Sequence, residues 1–166
     1  MSGRRLFWLV LAASIALTWW SYERAERRLR ANLMLSFAEL QGSQIAAQGG
    51  QTNPQLRSAI ANTVQGLRQA LPDAPADSRI PLAIGSHYLL LGNATEAAEW
   101  YRRALEIEAR PEIYLNLGRA ALLAGDRVSA IEHFRNAVLI DVTLRRSVPS
   151  ELRNEMPPPP KGRERG

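Results

Sequence analysis

A repeat of 33 residues in the second half of the chain limits the fold more than any other feature. The residues that recur at this interval are small or aromatic and form five pairs: Gly85 and Gly118, Gly92 and Gly125, Ala97 and Ala130, Tyr101 and Phe134, and Ala104 and Ala137. A period of this length is typical of stacked helical units. Aromatic side chains fill the gap between two helices, whereas small residues let their backbones cross closely. The pattern predicts an all-α fold that contains two helix-turn-helix units, residues 77–110 and 111–144.

The second unit resembles the tetratricopeptide (TPR) repeat family. If Pro111 is position 1, the family's characteristic positions are occupied by Tyr114, Leu117, Gly118, Ala121, Ala130, Phe134 and Ala137. The first unit departs from the pattern where Pro81 replaces the first aromatic residue, so we expect proline in the first turn of its first helix. The resemblance covers residues 78–142. It implies an α-solenoid fragment that binds proteins or peptides and carries out no chemistry.

The resemblance also indicates where a partner would bind, because the groove in this family is lined mainly by the first helix of each unit. The partner-binding residues that it implies are Leu82, Ser86, Leu89, Leu115, Arg119 and Leu122. Members that hold a terminal carboxylate carry basic and amide residues where this chain has Leu82 and Ser86, and Asn116 is the only comparable residue. We therefore expect an apolar or amphipathic helix as the partner. The alternative is that the upstream α-hairpin buries some of these leucines.

The N-terminal stretch from Leu6 to Trp20 carries no charge and has only Ser14 and Thr18 as polar residues. Its length is short for a spanning helix, but aromatic residues at its end suit a membrane interface and do not form a small-residue cleavage site. We predict an uncleaved transmembrane anchor over residues 1–22, with residues 6–22 in the membrane, in preference to a cleaved signal peptide. Arginines flank both sides, so the orientation stays open. A signal-anchor layout gives a single-pass protein of the bacterial inner membrane with periplasmic repeats.

The apolar pattern of residues 23–76 predicts two helices between the anchor and the repeats. No strong helix breaker precedes Gly49, so the anchor helix continues to about Ala47. Its apolar stripe consists of Leu29, Leu33, Phe37, Leu40 and Ala47, and a second helix has a stripe of Leu56, Ile60, Val64, Leu67 and Leu71. We interpret the two stripes as the contact of an α-hairpin that covers the first unit, because about three repeats are needed for a stable stack. The alternative is a homodimeric coiled coil, although the heptads are few.

Residues 145–166 predict a short capping segment and a proline-rich, disordered tail. A short helix over residues 150–155 follows Pro149, and the prolines from Pro157 to Pro160 favour an extended chain. The charged residues beyond them favour disorder.

Composition and charge exclude several functions. The net charge of +5 resides at the two ends of the chain while the repeats are almost neutral, so we predict no nucleic-acid binding. Cysteine is absent, and His87 and His133 lie in different units without a carboxylate at metal-binding spacing. We therefore predict no metal site, no cofactor and no enzymatic activity.

Together these features predict a membrane-anchored TPR scaffold or adaptor that takes part in assembly or stabilisation of a bacterial membrane or envelope complex. The bacterial source is suggested by an excess of arginine over lysine, of which Lys161 is the single example. Two alternatives stay open: a permanent structural subunit of a multi-subunit membrane complex, and a regulatory module of a membrane enzyme.

Overall fold

The computed structural model describes residues 3–47 and 53–158, and every regular element within these ranges is helical. The α-helices are α1 (Gly3–Ala47), α2 (Pro54–Ala70), α3 (Arg79–Leu90), α4 (Ala94–Ile107), α5 (Pro111–Leu123) and α6 (Arg127–Ile140). Short 3-10 helices cover Leu71–Asp73, Val142–Ser147 and Ser150–Glu155. The all-α prediction is confirmed. Residues 48–52, between the two predicted helices, and the predicted tail from residue 159 lie outside the described residues.

The four helices from α3 to α6 form two successive hairpins. Helix α3 packs on α4, α5 packs on α6, and α4 joins the two pairs by packing on α5. The turns contain Gly92 and Gly125, whose φ angles of 81° and 80° lie in the left-handed region that favours glycine. After the second turn, the Asp126 side chain accepts a hydrogen bond of 3.0 Å from the Ser129 backbone N–H and caps α6.

Within each hairpin, a glycine lies directly under an aromatic ring. A Cβ atom on Gly118 would lie 2.6 Å from Cδ1 of Phe134, and one on Gly85 would lie 2.6 Å from Cε1 of Tyr101. Both rings are fully buried. The predicted pairing of large and small residues is therefore confirmed, and it explains why these two glycines recur with the repeat.

The apolar stripe predicted to form the contact surface of α1 faces away from the rest of the molecule. Leu29, Leu33, Phe37 and Leu40 are 58%, 61%, 56% and 58% exposed. The second helix behaves as predicted, because Ile60 and its neighbours on that face are buried. The predicted hairpin thus forms through the expected face of α2, but the face assigned to α1 is wrong.

The buried face of α1 is the opposite one, and it alternates small with large apolar side chains. Ala31, Leu35, Ala38 and Ile45 enter a core that also contains residues of α2 and α3. Short side chains allow α1 to approach two helices at once, whereas the bulky stripe would hold the backbones apart. Close packing against α2 and α3 therefore overrides the larger hydrophobic area of the stripe.

The predicted transmembrane anchor is not supported. Within residues 3–47 and 53–158, no helix combines the length and the apolar character needed to cross a membrane. The predicted membrane segment, residues 6–22, has 17 residues. At about 1.5 Å per residue it extends roughly 26 Å, short of the ~30 Å hydrocarbon core of a bilayer. This finding overturns the prediction of a single-pass inner-membrane protein with periplasmic repeats, and it leaves the predicted membrane contact of residues 6–22 without support.

The C-terminal segment closes the stack beyond α6. Val148, Leu152 and Met156 are buried in the same core as Leu115 of α5 and Phe134 of α6. Arginine side chains hold this segment by donating hydrogen bonds to backbone carbonyls: Arg135 to Glu155 at 2.8 Å, Arg145 to Arg153 at 2.7 Å, and Arg153 to Val148 and Arg146 at 2.9 Å. The segment thus covers apolar surface that a third repeat would otherwise have to cover.

Candidate functional site

A cavity of about 320 Å³ lies where α1 crosses α3, with the start of α5 beside it. We call it the α1–α3 groove. Its wall mixes small, apolar and charged side chains: Ala38, Glu39, Gly42 and Ser43 from α1; Arg79, Leu82, Ala83, Ser86 and His87 from α3; and Arg110 and Asn116 from the α5 region. It opens on the first helix of the first unit, which is the surface that the resemblance implied.

Arg79 at one end of the groove is held by its neighbour Asp77. Its guanidinium donates hydrogen bonds of 2.9 and 2.6 Å to the two carboxylate oxygens of Asp77. This bidentate hydrogen bond lowers the pKa of Asp77 and raises the pKa of Arg79. A third contact of 3.4 Å reaches Oδ1 of Asn32 on α1. Arg79 therefore presents its charge from a fixed position.

Two more guanidinium groups lie along α5. Nε of Arg110 is 3.5 Å from Oε2 of Glu112, and both side chains are partly exposed. Arg119 is exposed and donates a hydrogen bond of 2.9 Å to Oδ1 of Asn116. The open sides of these arginines can bind a carboxylate, since the guanidinium fork matches its geometry.

Ser86 is anchored beneath the groove. Its hydroxyl donates a hydrogen bond of 3.0 Å to the Leu82 carbonyl, and the Tyr101 hydroxyl donates one of 3.3 Å to Ser86. Burial raises the pKa of Tyr101 to about 12, so this phenol stays neutral and keeps its proton for the donation. The chain thus fixes the hydroxyl of Ser86 in one orientation.

His87 is the buried polar residue of the groove wall. Its Nδ1 lies 2.8 Å from the Ala83 carbonyl, which can only accept, so Nδ1 carries the proton in this contact. Its Nε2 is buried and has no hydrogen-bond partner among the described residues. Burial lowers the pKa of His87, because the imidazolium would lose its hydration there. A neutral His87 therefore carries a buried acceptor nitrogen, Nε2, in the groove wall.

This shift predicts a dependence of stability on pH. Since the pKa is lowered from 6.5 in the folded state, the unfolded chain binds more protons just below pH 6.5, and the free energy of unfolding falls as the pH drops. The expected slope is at most about 1.4 kcal/mol per pH unit. Urea titrations between pH 5 and 8 measure it, and His87→Gln should flatten the slope. Burial also lowers the pKa of His133, so the slope of His133→Gln serves as a comparison for the slope of His87→Gln. An unchanged slope in His87→Gln would contradict the prediction.

The six residues predicted to bind a partner do not share one environment. Leu82 and Ser86 line the α1–α3 groove, and Arg119 lies beside it through its bond to Asn116. Leu115 is only 5% exposed and belongs to the core that the C-terminal segment closes. Leu89 and Leu122 are half-buried against the two repeat cores. Leu115 is therefore internal, but the C-terminal segment and α6 bury it and not the upstream hairpin; partner binding by the other five residues stays a prediction.

The contribution of α1 to the groove was missed. Glu39 and Ser43 form one of its walls, whereas the partner-binding residues predicted from the sequence include none of α1. The signal that could have placed them is the helical spacing of Ala31, Ala38 and Gly42, since small residues at such intervals favour close packing. Arg110 was missed because it precedes α5 and belongs to no helix position of the repeat.

The described residues offer no arrangement for metal chemistry. Within residues 3–47 and 53–158, histidine and acidic side chains form no group of three that could hold a metal ion. The groove contains instead guanidinium, amide, hydroxyl and imidazole groups and the carboxylate of Glu39 around an apolar floor. Such a lining suits recognition of a polar or charged group that is attached to an apolar one.

One comparison with known proteins agrees with the repeat architecture. A family model described as tetratricopeptide repeat matches residues 82–110, which comprise most of α3, all of α4 and the link to α5. No curated protein matches the chain. A tetratricopeptide repeat is thus present in the first hairpin, and repeats of this kind are protein-protein interaction modules that are generally non-enzymatic.

Proposed function

We propose that the chain is a non-catalytic adaptor that binds a protein partner in the α1–α3 groove and supports the assembly or stabilisation of a larger complex. The observation that carries the proposal is the groove itself. It is a concave surface on the first helix of a tetratricopeptide repeat, and it combines Leu82 with Arg79 and Arg110. Repeat proteins bind partners mainly through such concave faces.

The chemistry of the lining favours an amphipathic partner helix with an acidic side chain. Leu82 and Ala83 supply an apolar floor, while Arg79 and Arg110 supply two positive charges at its margin against the single negative charge of Glu39. The cavity of about 320 Å³ is small, so it admits a side chain of the partner rather than a whole helix. The remainder of the partner would lie across the open face between α1 and α5. One apolar anchor beside one carboxylate therefore fits these walls best.

The experiment places a photo-crosslinking amino acid at Leu82 in the full chain within the cell, with and without Arg110→Glu. We expect one defined protein to be captured, and we expect charge reversal at Arg110 to reduce capture about tenfold or more, because it removes an attractive contact and adds a repulsive one. Mass spectrometry of the crosslinked peptide shows whether the captured segment is amphipathic and acidic.

The matched control is Arg127→Glu, which makes the same charge change at an exposed residue at the start of α6. This variant should capture as much partner as the unmodified chain. Equal losses in both variants, or crosslinks that stay within the chain, would contradict a partner site in the groove.

A further inference from the structure

Another cavity, of about 720 Å³, lies in the corner between α1 and the segment that joins α2 to α3. Its volume falls within the usual range of small-ligand sites, about 300–1,000 Å³. The lining consists of Trp20, Arg24, Arg27, Arg28 and Asn32 on the α1 wall, and of residues 72–77 and Arg79 on the facing wall. We call this cavity the arginine cleft. It shares only Arg79 with the α1–α3 groove.

Three arginines of the cleft follow one another at a regular spacing. Arg24 and Arg28 are about one helical turn apart, which separates their positions along α1 by about 6 Å. One turn further, Oδ1 of Asn32 lies 3.4 Å from Nη2 of Arg79. The guanidinium of Arg79 thus continues the line of charges from α1 to the facing wall. Guanidinium groups at this spacing can share one multiply charged anion, because each can donate to a different oxygen.

Two of these guanidinium groups are held in place before any ligand binds. The guanidinium carbon of Arg24 lies 5.1 Å from the centroid of the Trp20 ring. Both carboxylate oxygens of Asp77 accept hydrogen bonds from Arg79 and fix its position. The facing wall also includes two prolines, whose rings restrict its backbone. A site that is formed in advance loses less conformational entropy on binding than a flexible one.

The arginine cleft contains more positive than negative charge. Its lining has four arginines and the two aspartates of residues 72–77, which leaves a net charge of +2. Arg27 is also 3.7 Å from Glu23, which lies outside the lining, and an exposed pair of this kind is weak. With Glu23 included, the balance is still positive. Within residues 3–47 and 53–158, no carboxylate forms an ion pair with Arg24 or Arg28, so both are available to an anion.

We propose that the arginine cleft binds the phosphate group of a small phosphomonoester. Such a group carries a charge of about −1.5 to −2 at pH 7, which matches the charge of the lining. Its three terminal oxygens point in different directions, so Arg24 and Arg28 can both donate to it. A carboxylate has two coplanar oxygens and a single charge, and one guanidinium already satisfies it. The exposed Trp20 ring offers an apolar surface to the remainder of the molecule.

The test compares phenyl phosphate, a phosphomonoester on an aromatic ring, with benzoate, the matched carboxylate. Isothermal titration calorimetry of the full chain at constant ionic strength measures the binding of each. We expect phenyl phosphate to bind about tenfold more tightly than benzoate. Arg28→Gln should weaken the binding of phenyl phosphate about tenfold, the usual effect of losing one charge-assisted hydrogen bond.

The matched control is Arg30→Gln, which removes the same charge two residues away. Arg30 does not line the cleft and lies 3.9 Å from Glu26, so this variant should bind phenyl phosphate as the natural chain does. Arg28 and Arg30 are both exposed, and neither variant disturbs the core.

Asp73→Asn should change the affinity in the opposite direction. Asp73 lies on the facing wall, where its carboxylate repels an anion in the cleft. Its neutralisation should therefore tighten the binding of phenyl phosphate severalfold, whereas a mere disturbance of the cleft would weaken it.

A second arm of the experiment distinguishes a soluble ligand from a lipid headgroup. The full chain is floated with phosphatidylcholine vesicles, with or without phosphatidic acid, whose headgroup is a phosphomonoester. Flotation that requires phosphatidic acid, and that Arg28→Gln loses and Arg30→Gln keeps, assigns the phosphate to a lipid. Binding of phenyl phosphate without such flotation assigns it to a soluble molecule.

Four results would overturn the proposal. They are the absence of both phenyl phosphate binding and flotation that requires phosphatidic acid, equal binding of benzoate, equal losses in Arg28→Gln and Arg30→Gln, and weaker binding in Asp73→Asn. None of them bears on the proposed partner site, because Leu82 and Arg110 of the α1–α3 groove do not line the arginine cleft.

Discussion

Replacing Leu152 with alanine should lower the free energy of unfolding by about 2–5 kcal/mol, as expected for a fully buried leucine. Leu152 is completely buried and packs in the core with Leu115 and Phe134. Its side chain fastens the C-terminal segment to the second hairpin, so the truncation also loosens the cover of Leu115. Urea unfolding of the full chain, followed by far-ultraviolet circular dichroism, measures the change.

Leu139→Ala is the control for this prediction. It makes the same truncation on a side chain that is 68% exposed, and such surface substitutions usually change stability by no more than about 0.5 kcal/mol. Equal losses in the two variants would mean that the C-terminal segment contributes nothing to the stability of the stack.

Gly118→Val should destabilise the chain by about 3 kcal/mol, the upper part of the usual range for overpacking. Its Cβ alone would lie 2.6 Å from the Phe134 ring, which is buried and has no room to move aside. A smaller partner should relieve the clash, so Phe134→Leu should harm the Gly118→Val background less than it harms the natural chain. A double-mutant cycle on urea unfolding curves measures this coupling.

Gly125→Ala separates backbone strain from steric overlap. No atom lies within 4 Å of a Cβ at Gly125, but its φ of 80° is unfavourable for alanine. We expect a loss of about 1–2 kcal/mol from the backbone alone, and no coupling to Phe134. If Gly118→Val showed no coupling to Phe134 either, the close contact between glycine and ring would be refuted.

The repeat hairpins could be predicted from sequence because local and tertiary requirements agree there. The positive φ at Gly125 and the ring over Gly118 each demand glycine, so both positions recur at the repeat interval. The orientation of α1 could not be predicted in the same way. Its bulky stripe and its buried face both have helical spacing, and only packing on α2 and α3 together selects the face that includes Ala31 and Ala38.

For a related reason, only the residues that α3 contributes to the groove could be predicted from the sequence. Leu82 and Ser86 follow from their positions in the repeat, but Glu39 enters the wall through the unexpected rotation of α1. Leu115 occupies the equivalent helix position to Leu82 and is nevertheless core, since Val148 and Leu152 cover it. Position in a repeat thus indicates which way a side chain points, whereas its accessibility depends on what the neighbouring segment does.

The length of α1 fixes the distance between the groove and the N-terminal end of the helix. Its 45 residues span about 68 Å at 1.5 Å per residue, and the exposed part from residue 7 to residue 30 accounts for roughly 36 Å of that. Because the same continuous helix forms one wall of the groove, a molecule held there is set at a fixed distance and angle from the N-terminal tip. A proline introduced at Ala25 would bend this helix and change that reach while leaving every residue of the groove in place.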